Sequence, residues 1–167
     1  MGKAHPFIFA GYDKVKQKKL HIALVGNPNS GKSSLFNCLT GLNQKVGNFP
    51  GVTVEKKTGS TSMPANVSAE VLDLPGSYSL YPRRIDEWVC YKVLLNQDKD
   101  VKADIFVAVV DASNLKRNLL FCTQIIDLKV PVVIALTMMD LARRNGVRID
   151  IAELERELGV PVIPVNP

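Results

Sequence analysis

Cysteine and histidine are scarce, with three and two copies in 167 residues. Cys38, Cys90 and Cys122 stand far apart, with neither metal-ligand spacing nor an even-numbered framework. That pattern excludes a zinc ribbon and a disulfide-stapled secreted domain, and leaves buried thiols in a reducing cytosol as the plain reading. His5 and His21 have no partner at ligand spacing and read as structural. Long apolar runs are also missing. The longest, residues 105–110 and 130–139, fall far short of the roughly 20 residues that span a bilayer, so the chain as given is not expected to be a membrane protein. No secretory signal opens it, because Lys14, Lys16, Lys18 and Lys19 follow no long apolar core. Internal repeats and low-complexity segments are absent as well.

What is present describes one ordinary soluble domain. Apolar residues make up 46% and charged residues 22%, close to globular averages, and 167 residues leave room for little more than one core. Much of the net charge of +5 lies in a basic N-terminal extension over residues 1–19, where Lys3, Lys14, Lys16, Lys18 and Lys19 face the single acid Asp13. Such an arm reads as a solvated tail, and no nucleic-acid partner is expected from it. Beyond it, short apolar runs alternate with longer amphipathic ones. Strands are expected at 20–25, 53–60, 67–74, 105–110, 132–136 and 160–165, and helices at 32–40, 85–95, 115–128 and from Asp150 to Leu158, where Asp150 and Glu153 form a capping box. Residues 41–51 read as a loop. This alternation predicts an α/β fold with a mainly parallel central sheet and helices on both faces.

Gly26-Asn27-Pro28-Asn29-Ser30-Gly31-Lys32-Ser33 matches the phosphate-binding loop G-x-x-x-x-G-K-[ST] between a strand and a helix. The glycines let backbone N–H groups turn toward phosphate oxygens, and the helix that follows adds its positive end. Lys32 would reach the β- and γ-phosphates and Ser33 would ligate Mg²⁺. Downstream, Asp73-Leu74-Pro75-Gly76 closes a strand as the D-x-x-G element of GTPases does; Asp73 would hold Mg²⁺ through water, and the Gly76 N–H would sense the γ-phosphate. Thr53 lies in the intervening loop, where the switch threonine that completes the Mg²⁺ shell is expected. Thr137-Met138-Met139-Asp140 follows a buried strand and resembles the guanine motif N-K-x-D. The Asp140 carboxylate accepts only, which suits the guanine N1 and N2 edge. Thr137 stands where asparagine is usual and offers one donor where an amide offers two.

The P-loop just quoted, the stretch Val46-Gly47-Asn48-Phe49-Pro50-Gly51-Val52-Thr53-Val54-Glu55-Lys56-Lys57, and Asp73-Leu74-Pro75-Gly76-Ser77-Tyr78-Ser79-Leu80 closely resemble the cytoplasmic GTPase domain of the bacterial ferrous iron transporter family, FeoB. Residues 109–119 and 131–140 extend the likeness, which covers about residues 20–165. The resemblance implies a P-loop small-GTPase fold over residues 20–167 and slow GTP hydrolysis at the cytoplasmic face of the bacterial inner membrane, regulating Fe²⁺ uptake. The implied ligands are GTP or GDP, held by the P-loop residues, Ser34, Gly51, Val52, Thr53, Asp73, Gly76, Thr137, Met138, Asp140, Val165 and Asn166. The implied metals are Mg²⁺, on Ser33, Thr53 and Asp73, and an activating K⁺, on the Asn29 side chain and the carbonyls near Gly47 and Phe49. Lys32, Thr53, Asn29 and Gly76 would carry catalysis, with the monovalent cation taking the part of an arginine finger. Asn29 is also readable as a loop-bracing amide.

Several positions depart from the family pattern. The helical subdomain and the polytopic membrane region that the family places downstream are not in these residues, so a shortened chain or an atypically short member is expected, with a membrane transport domain as the implied partner. Ser77 replaces the glutamine that orients water in Ras-like enzymes, which predicts slow turnover and water held by switch-loop backbone near Thr53. If Pro167 takes the alanine position of the fifth motif, it has no N–H for the guanine O6. With Thr137, that predicts weaker or less selective guanine binding. A chain ending near its last strand would leave an apolar groove for a second copy, so a homo-oligomer is among the expectations. Residues suited to an iron site are lacking. Asp111 reads as a cap for the helix after Asn114, and Trp88 and Tyr91 as core or partner face, with core preferred. Two other classes stay open: an RNA- or ribosome-associated GTPase using the basic arm, and a nucleotide switch with negligible hydrolysis.

Overall fold

β-branched and apolar runs form the middle of a seven-stranded sheet, and polar sequence forms one of its edges. The computed structural model describes residues 19–64, 67–98 and 100–167. Of the expected basic extension only Lys19 falls among them, its ammonium paired with Glu70. In chain order the elements are β1 (Leu20–Gly26), α1 (Lys32–Thr40), β2 (Gln44–Asn48), β3 (Glu55–Met63), β4 (Val67–Asp73), α2 (Ile85–Leu94), β5 (Ile105–Asp111), α3 (Leu115–Asp127), β6 (Val132–Thr137), α4 (Met139–Arg144), α5 (Ile151–Leu158) and β7 (Val162–Pro164), with a 3₁₀ turn (Ala112–Asn114) before α3. The sheet order is β2-β3-β4-β1-β5-β6-β7. β4, β1, β5, β6 and β7 run parallel, and β2 and β3 return antiparallel at one edge.

Alternation along the central strands sends side chains to two cores. Ala23 and Val25 of β1, Phe106, Ala108 and Val110 of β5, and Ile134 and Leu136 of β6 meet α2 and α3 through Val89, Val93, Phe121 and Ile125. Leu154 and Leu158 of α5 pack at the margin of this core. The opposite face carries Ile22, Leu24, Ala69, Val71 and Val109 under Leu35 and Phe36 of α1. A strand covered on both sides has no reason to alternate in polarity, and Ala23, Leu24 and Val25 in succession show 0% exposure. Helices therefore cover both faces, as expected. Among the described residues α1 is the one helix on its face, and Ile163 of the edge strand β7 stays 51% exposed.

Four local readings need correction. The loop predicted over 41–51 contains β2, whose five residues are all exposed; an edge strand held by backbone pairing to β3 needs no apolar alternation. The short helix α4 went unread because it opens on Met138 in the left-handed region, φ 56°, where a side chain gives no capping signal. Trp88 is 48% exposed and meets Tyr91 edge-on, so it belongs to the surface. Asp111 caps one step earlier than expected, accepting from the Ser113 N–H at the 3₁₀ turn. The Asp150 carboxylate does accept from the Glu153 N–H, as its spacing predicts.

Candidate functional site

The parallel strands β1, β4, β5 and β6 all end on one side of the sheet, the side where open α/β sheets bind ligands. β1 stops at Gly26, whose added Cβ would lie 2.4 Å from the Val109 carbonyl, so only glycine lets β1 and β5 come this close. The chain then turns through Asn29 (φ 62°) and Gly31 (φ 86°) into α1. The first N–H groups of α1 have no intrahelical partner and open on the loop. Asn27 and Ser30 are 3% and 1% exposed, and Asn27 Oδ1 and Ser30 Oγ have no partner among the described residues. Asn27 Nδ2 donates to the Arg117 carbonyl at 3.4 Å.

Two charges meet at the mouth of this loop. Lys32 Nζ donates to Asp73 Oδ1 at 2.7 Å, and Ser33 Oγ donates to Asp73 Oδ2 at 3.3 Å. The side chains of Lys32 and Asp73 are only 11% and 7% exposed, so the pair is shielded from solvent. The Asp73-to-Gly76 segment is tied back to the loop, because the Ser77 N–H donates to the Gly26 carbonyl at 3.1 Å. Gly76 lies against Pro28 so closely that an added Cβ would stand 2.9 Å from the Pro28 nitrogen. A cleft of about 440 Å³ results, lined by Asn27, Pro28, Asn29, Lys32, Ser33 and Gly76, with Gly31, Ser34 and Met138 completing it.

The expected residues divide between this cleft and its surroundings. Thr53, Gly51, Val52 and Phe49 line a separate hollow with Ile85 of α2. Thr53 is exposed, and among the described residues it makes no hydrogen bond to Ser33 or Asp73. Phe49 is 2% exposed, its N–H donating to the Val54 carbonyl and its carbonyl accepting from the Val52 N–H at 3.2 Å. Gly47 sits in β2 opposite Lys56. Asn29, Gly47 and Phe49 thus lie on different walls. Asp140 stands in the first turn of α4, its side chain 62% exposed, with Arg144 Nη2 at 3.9 Å. Beyond β7, the Val165 N–H donates to the Leu136 carbonyl, and Asn166 is exposed.

Two residues do other work than their motif positions suggest. Thr137 is 1% exposed, and its Oγ1 lies 2.7 Å from the Ser30 carbonyl and 3.2 Å from that of Val110. Its hydroxyl proton therefore braces the loop. Ser77 is 2% exposed and donates to the Ser79 carbonyl at 2.8 Å, turned into its own loop. His21 meets Asp104 at 3.2 Å at the starting ends of the strands, away from the cleft.

Sequence reasoning passed over Asn118 and Lys57. Asn118 accepts from the Asp111 N–H and donates to the Asn114 carbonyl, which joins β5 to α3; its place one turn after Asn114 was the available signal. Lys57 lies opposite Asp73 in the β3–β4 ladder, a register that no sequence pattern displays. Its hydrogen bond to Glu55, then the charge of Glu55 and last that of Asp73, hold its ammonium above the ordinary lysine range against a burial penalty.

Residues 20–167 match the family model described as ferrous iron transport protein B. The chain belongs to this family. The Fe(2+) transporter FeoB of Leptospira biflexa is 46% identical over 149 residues, which are 89% of this chain and 21% of that protein; the chain thus spans about a fifth of that relative's length. A crystal structure of an S. thermophilus NFeoB point mutant bound to mGDP is 48% identical, with a TM-score of 0.80 over 89% of this chain and 55% of that one. The G domain of the T. maritima FeoB iron transporter is 40% identical, with a TM-score of 0.80, covering 89% and 87% of the two chains. The architecture is therefore the P-loop GTPase fold of FeoB G domains. Among the described residues no helix is long and apolar enough to cross a membrane.

The donors at the cleft also fit Mg²⁺. Ser33 and Asp73 present hard oxygens 3.3 Å apart beside the phosphate loop, and Mg²⁺ is ordinarily held by one or two such groups together with substrate phosphates and water. No cluster of three or more His, Cys, Asp or Glu competes for a metal among the described residues. For K⁺, Asn29 offers a side chain on the phosphate cleft that makes no hydrogen bond among the described residues.

Proposed function

We propose that this chain is the GTP-binding and slowly GTP-hydrolysing regulatory domain of a ferrous iron transporter. The observation that carries the reading is the Lys32–Asp73–Ser33 cluster at the mouth of the P-loop. Its lysine can exchange a carboxylate for a phosphate, and its serine and aspartate can hold Mg²⁺. Further support comes from the similar NFeoB structure, which is bound to mGDP.

The loop N–H groups and the opening of α1 would take the β- and γ-phosphates, with Lys32 as their counter-charge. Thr53 would join Ser33 and Asp73 as the third Mg²⁺ ligand, and the Gly76 N–H would face the γ-phosphate. Bound Mg²⁺ would neutralise charge that develops between the β- and γ-phosphates. Asn29, with the carbonyls of Gly47 and Phe49, would hold K⁺ beside the same phosphates. Asp140 reads the guanine N1 and N2 edge, while Met138, Val165 and Asn166 border the base. Ser77 is turned into its own loop, so no side chain at that position orients water, which argues for slow turnover. Affinity and selectivity for guanine are lower than is usual for GTPases, because Thr137 faces the loop and Pro167 has no N–H.

We place residues 1–19 as a basic extension and 20–167 as the GTPase domain. The domain would work at the cytoplasmic face of the bacterial inner membrane with a membrane transport domain as partner, and would form a homo-oligomer. Single-turnover hydrolysis of GTP with Mg²⁺, run in KCl and in NaCl, tests the central reading. Slow phosphate release that is faster in KCl is expected. Equal rates in the two salts would remove K⁺ from the mechanism, and binding without any release would leave a nucleotide switch in place of an enzyme.

A further inference from the structure

Beside Asp73, a hollow of about 220 Å³ carries two charges that the nucleotide reading leaves unused. Lys32, Glu55, Lys57 and Asp73 share it. β3 runs antiparallel to β4 and sets Lys57 directly opposite Asp73. Side chains so opposed leave the sheet on the same face, with Cβ atoms about 4.5–5.5 Å apart. Glu55, two residues earlier in β3, shares that face, and its Oε1 holds Lys57 Nζ at 2.9 Å. Lys57 and Glu55 are 38% and 56% exposed, so neither is fixed by packing and both are free to answer a change of charge nearby.

We propose that Lys57 is a positioning residue for Mg²⁺ held at Ser33 and Asp73: its ammonium opposes the divalent ion, and Glu55 sets how strongly by holding that ammonium back. This inference rests on the reading that Ser33 and Asp73 ligate the Mg²⁺ of a bound nucleotide. Surface ion pairs contribute little to stability, so the pair's effect falls on the ion. A unit charge about 8 Å from a divalent ion in a water-like dielectric changes its affinity about 5-fold. Screening and partial burial put the expected range at about 3- to 10-fold. Removing Lys57 therefore tightens Mg²⁺. Neutralising Glu55 releases the ammonium toward Asp73 and weakens it. Removing both returns the balance close to its starting value.

The test is a Mg²⁺ titration of the dissociation rate of a fluorescent mant-GDP from the full 167-residue chain, with thermal melts to confirm folding. Lys57→Met is expected to lower the Mg²⁺ concentration that half-slows release, about 3- to 10-fold, and Glu55→Gln to raise it. Lys57→Arg keeps the charge and the wild-type midpoint, and the double variant Glu55→Gln/Lys57→Met falls between the single ones. Both shifts shrink when the salt is raised to about 0.5 M. Midpoints that stay put, or single variants that shift the same way, overturn the proposal while leaving the nucleotide site intact. Release from the wild-type chain that ignores Mg²⁺ altogether overturns the Ser33–Asp73 reading, and this inference with it.

Discussion

Replacing Thr137 by valine isolates a single proton. The two side chains are nearly isosteric, so the Thr137 methyl keeps its packing near Gly31, and only the hydroxyl is lost. That hydroxyl has one proton and two candidate carbonyls, Ser30 at 2.7 Å and Val110 at 3.2 Å, and the shorter contact takes it. Ser30 and Thr137 are each 1% exposed, so no water replaces the lost donor. A buried carbonyl left without its partner costs about 1–3 kcal/mol. The Ser30 carbonyl sits between Asn29 and Gly31, both in the left-handed region, so its loss loosens the turn that aims the loop N–H groups. Thr137→Val should therefore lower urea-unfolding stability by about 1–3 kcal/mol and weaken GDP by up to about 5- to 150-fold, since each 1.4 kcal/mol is about tenfold. Thr137→Ser keeps the proton; it should bind GDP as the wild type does, with a loss of stability from the missing methyl alone. Wild-type stability and affinity in Thr137→Val, measured by urea melts and nucleotide titration, would refute the brace. A loss of affinity equal in Thr137→Val and Thr137→Ser would refute it too.

Gly76→Ala must push its Cβ against the Pro28 nitrogen and Cα, at 2.9 and 3.0 Å; a loss of about 1–3 kcal/mol in stability is expected, and GDP binding measured by fluorescence should fall at least about tenfold. Cys38 is exposed while Cys90 and Cys122 are buried, so Ellman's reagent should titrate one thiol rapidly at pH 8 and three in denaturant. Burial pushes the Cys90 and Cys122 thiols up to about 12 from 9.0. Because the folded chain then binds the protons more tightly than the unfolded one, this stabilising contribution is complete below pH 9 and fades as pH climbs toward 12, at up to about 1.4 kcal/mol per pH unit for each thiol. Urea melts between pH 9 and 11 should show that slope, and a Cys90→Ala/Cys122→Ala variant should lose most of it.

The parts of the molecule that were legible in the sequence are those where one local cause decides the structure. β1, β5 and β6 are buried on both faces, which requires apolar runs and makes them visible. The P-loop and Asp73 were visible because phosphate chemistry fixes spacing along the chain. β2 was hidden because its stabilisation is a backbone ladder to β3, indifferent to side-chain type. Lys57 was hidden for a related reason: its neighbour across the ladder is 16 positions away, and register is set by the whole sheet. Thr137 and Ser77 were read from their places in the motifs, and their bonding depends on where each hydroxyl points. A short side chain in a tight turn bonds the nearest carbonyl, and here those carbonyls belong to Ser30 and Ser79.

The direction of the Thr137 hydroxyl bears on how the two ends of the site communicate. Asparagine at that position would have an amide with two protons and an acceptor, enough to brace the loop and still face a base. Threonine has one proton and uses it inward. On the proposed reading the motif's base-reading capacity would be concentrated in Asp140, whose carboxylate stands 62% exposed beside Arg144, so that water and that guanidinium would compete with a purine edge for it. The phosphate end is arranged in the opposite sense, with Lys32 and Asp73 nearly buried and their interaction unscreened. A nucleotide bound here would therefore owe more of its affinity to its phosphates than to its base. Because the Thr137 brace joins β6 to the loop that would hold those phosphates, any strain that a base imposed at the end of β6 would be delivered to the Ser30 carbonyl. On the proposed reading, weak base selectivity and a phosphate loop coupled to the base wall would thus have one cause, a hydroxyl in the place of an amide.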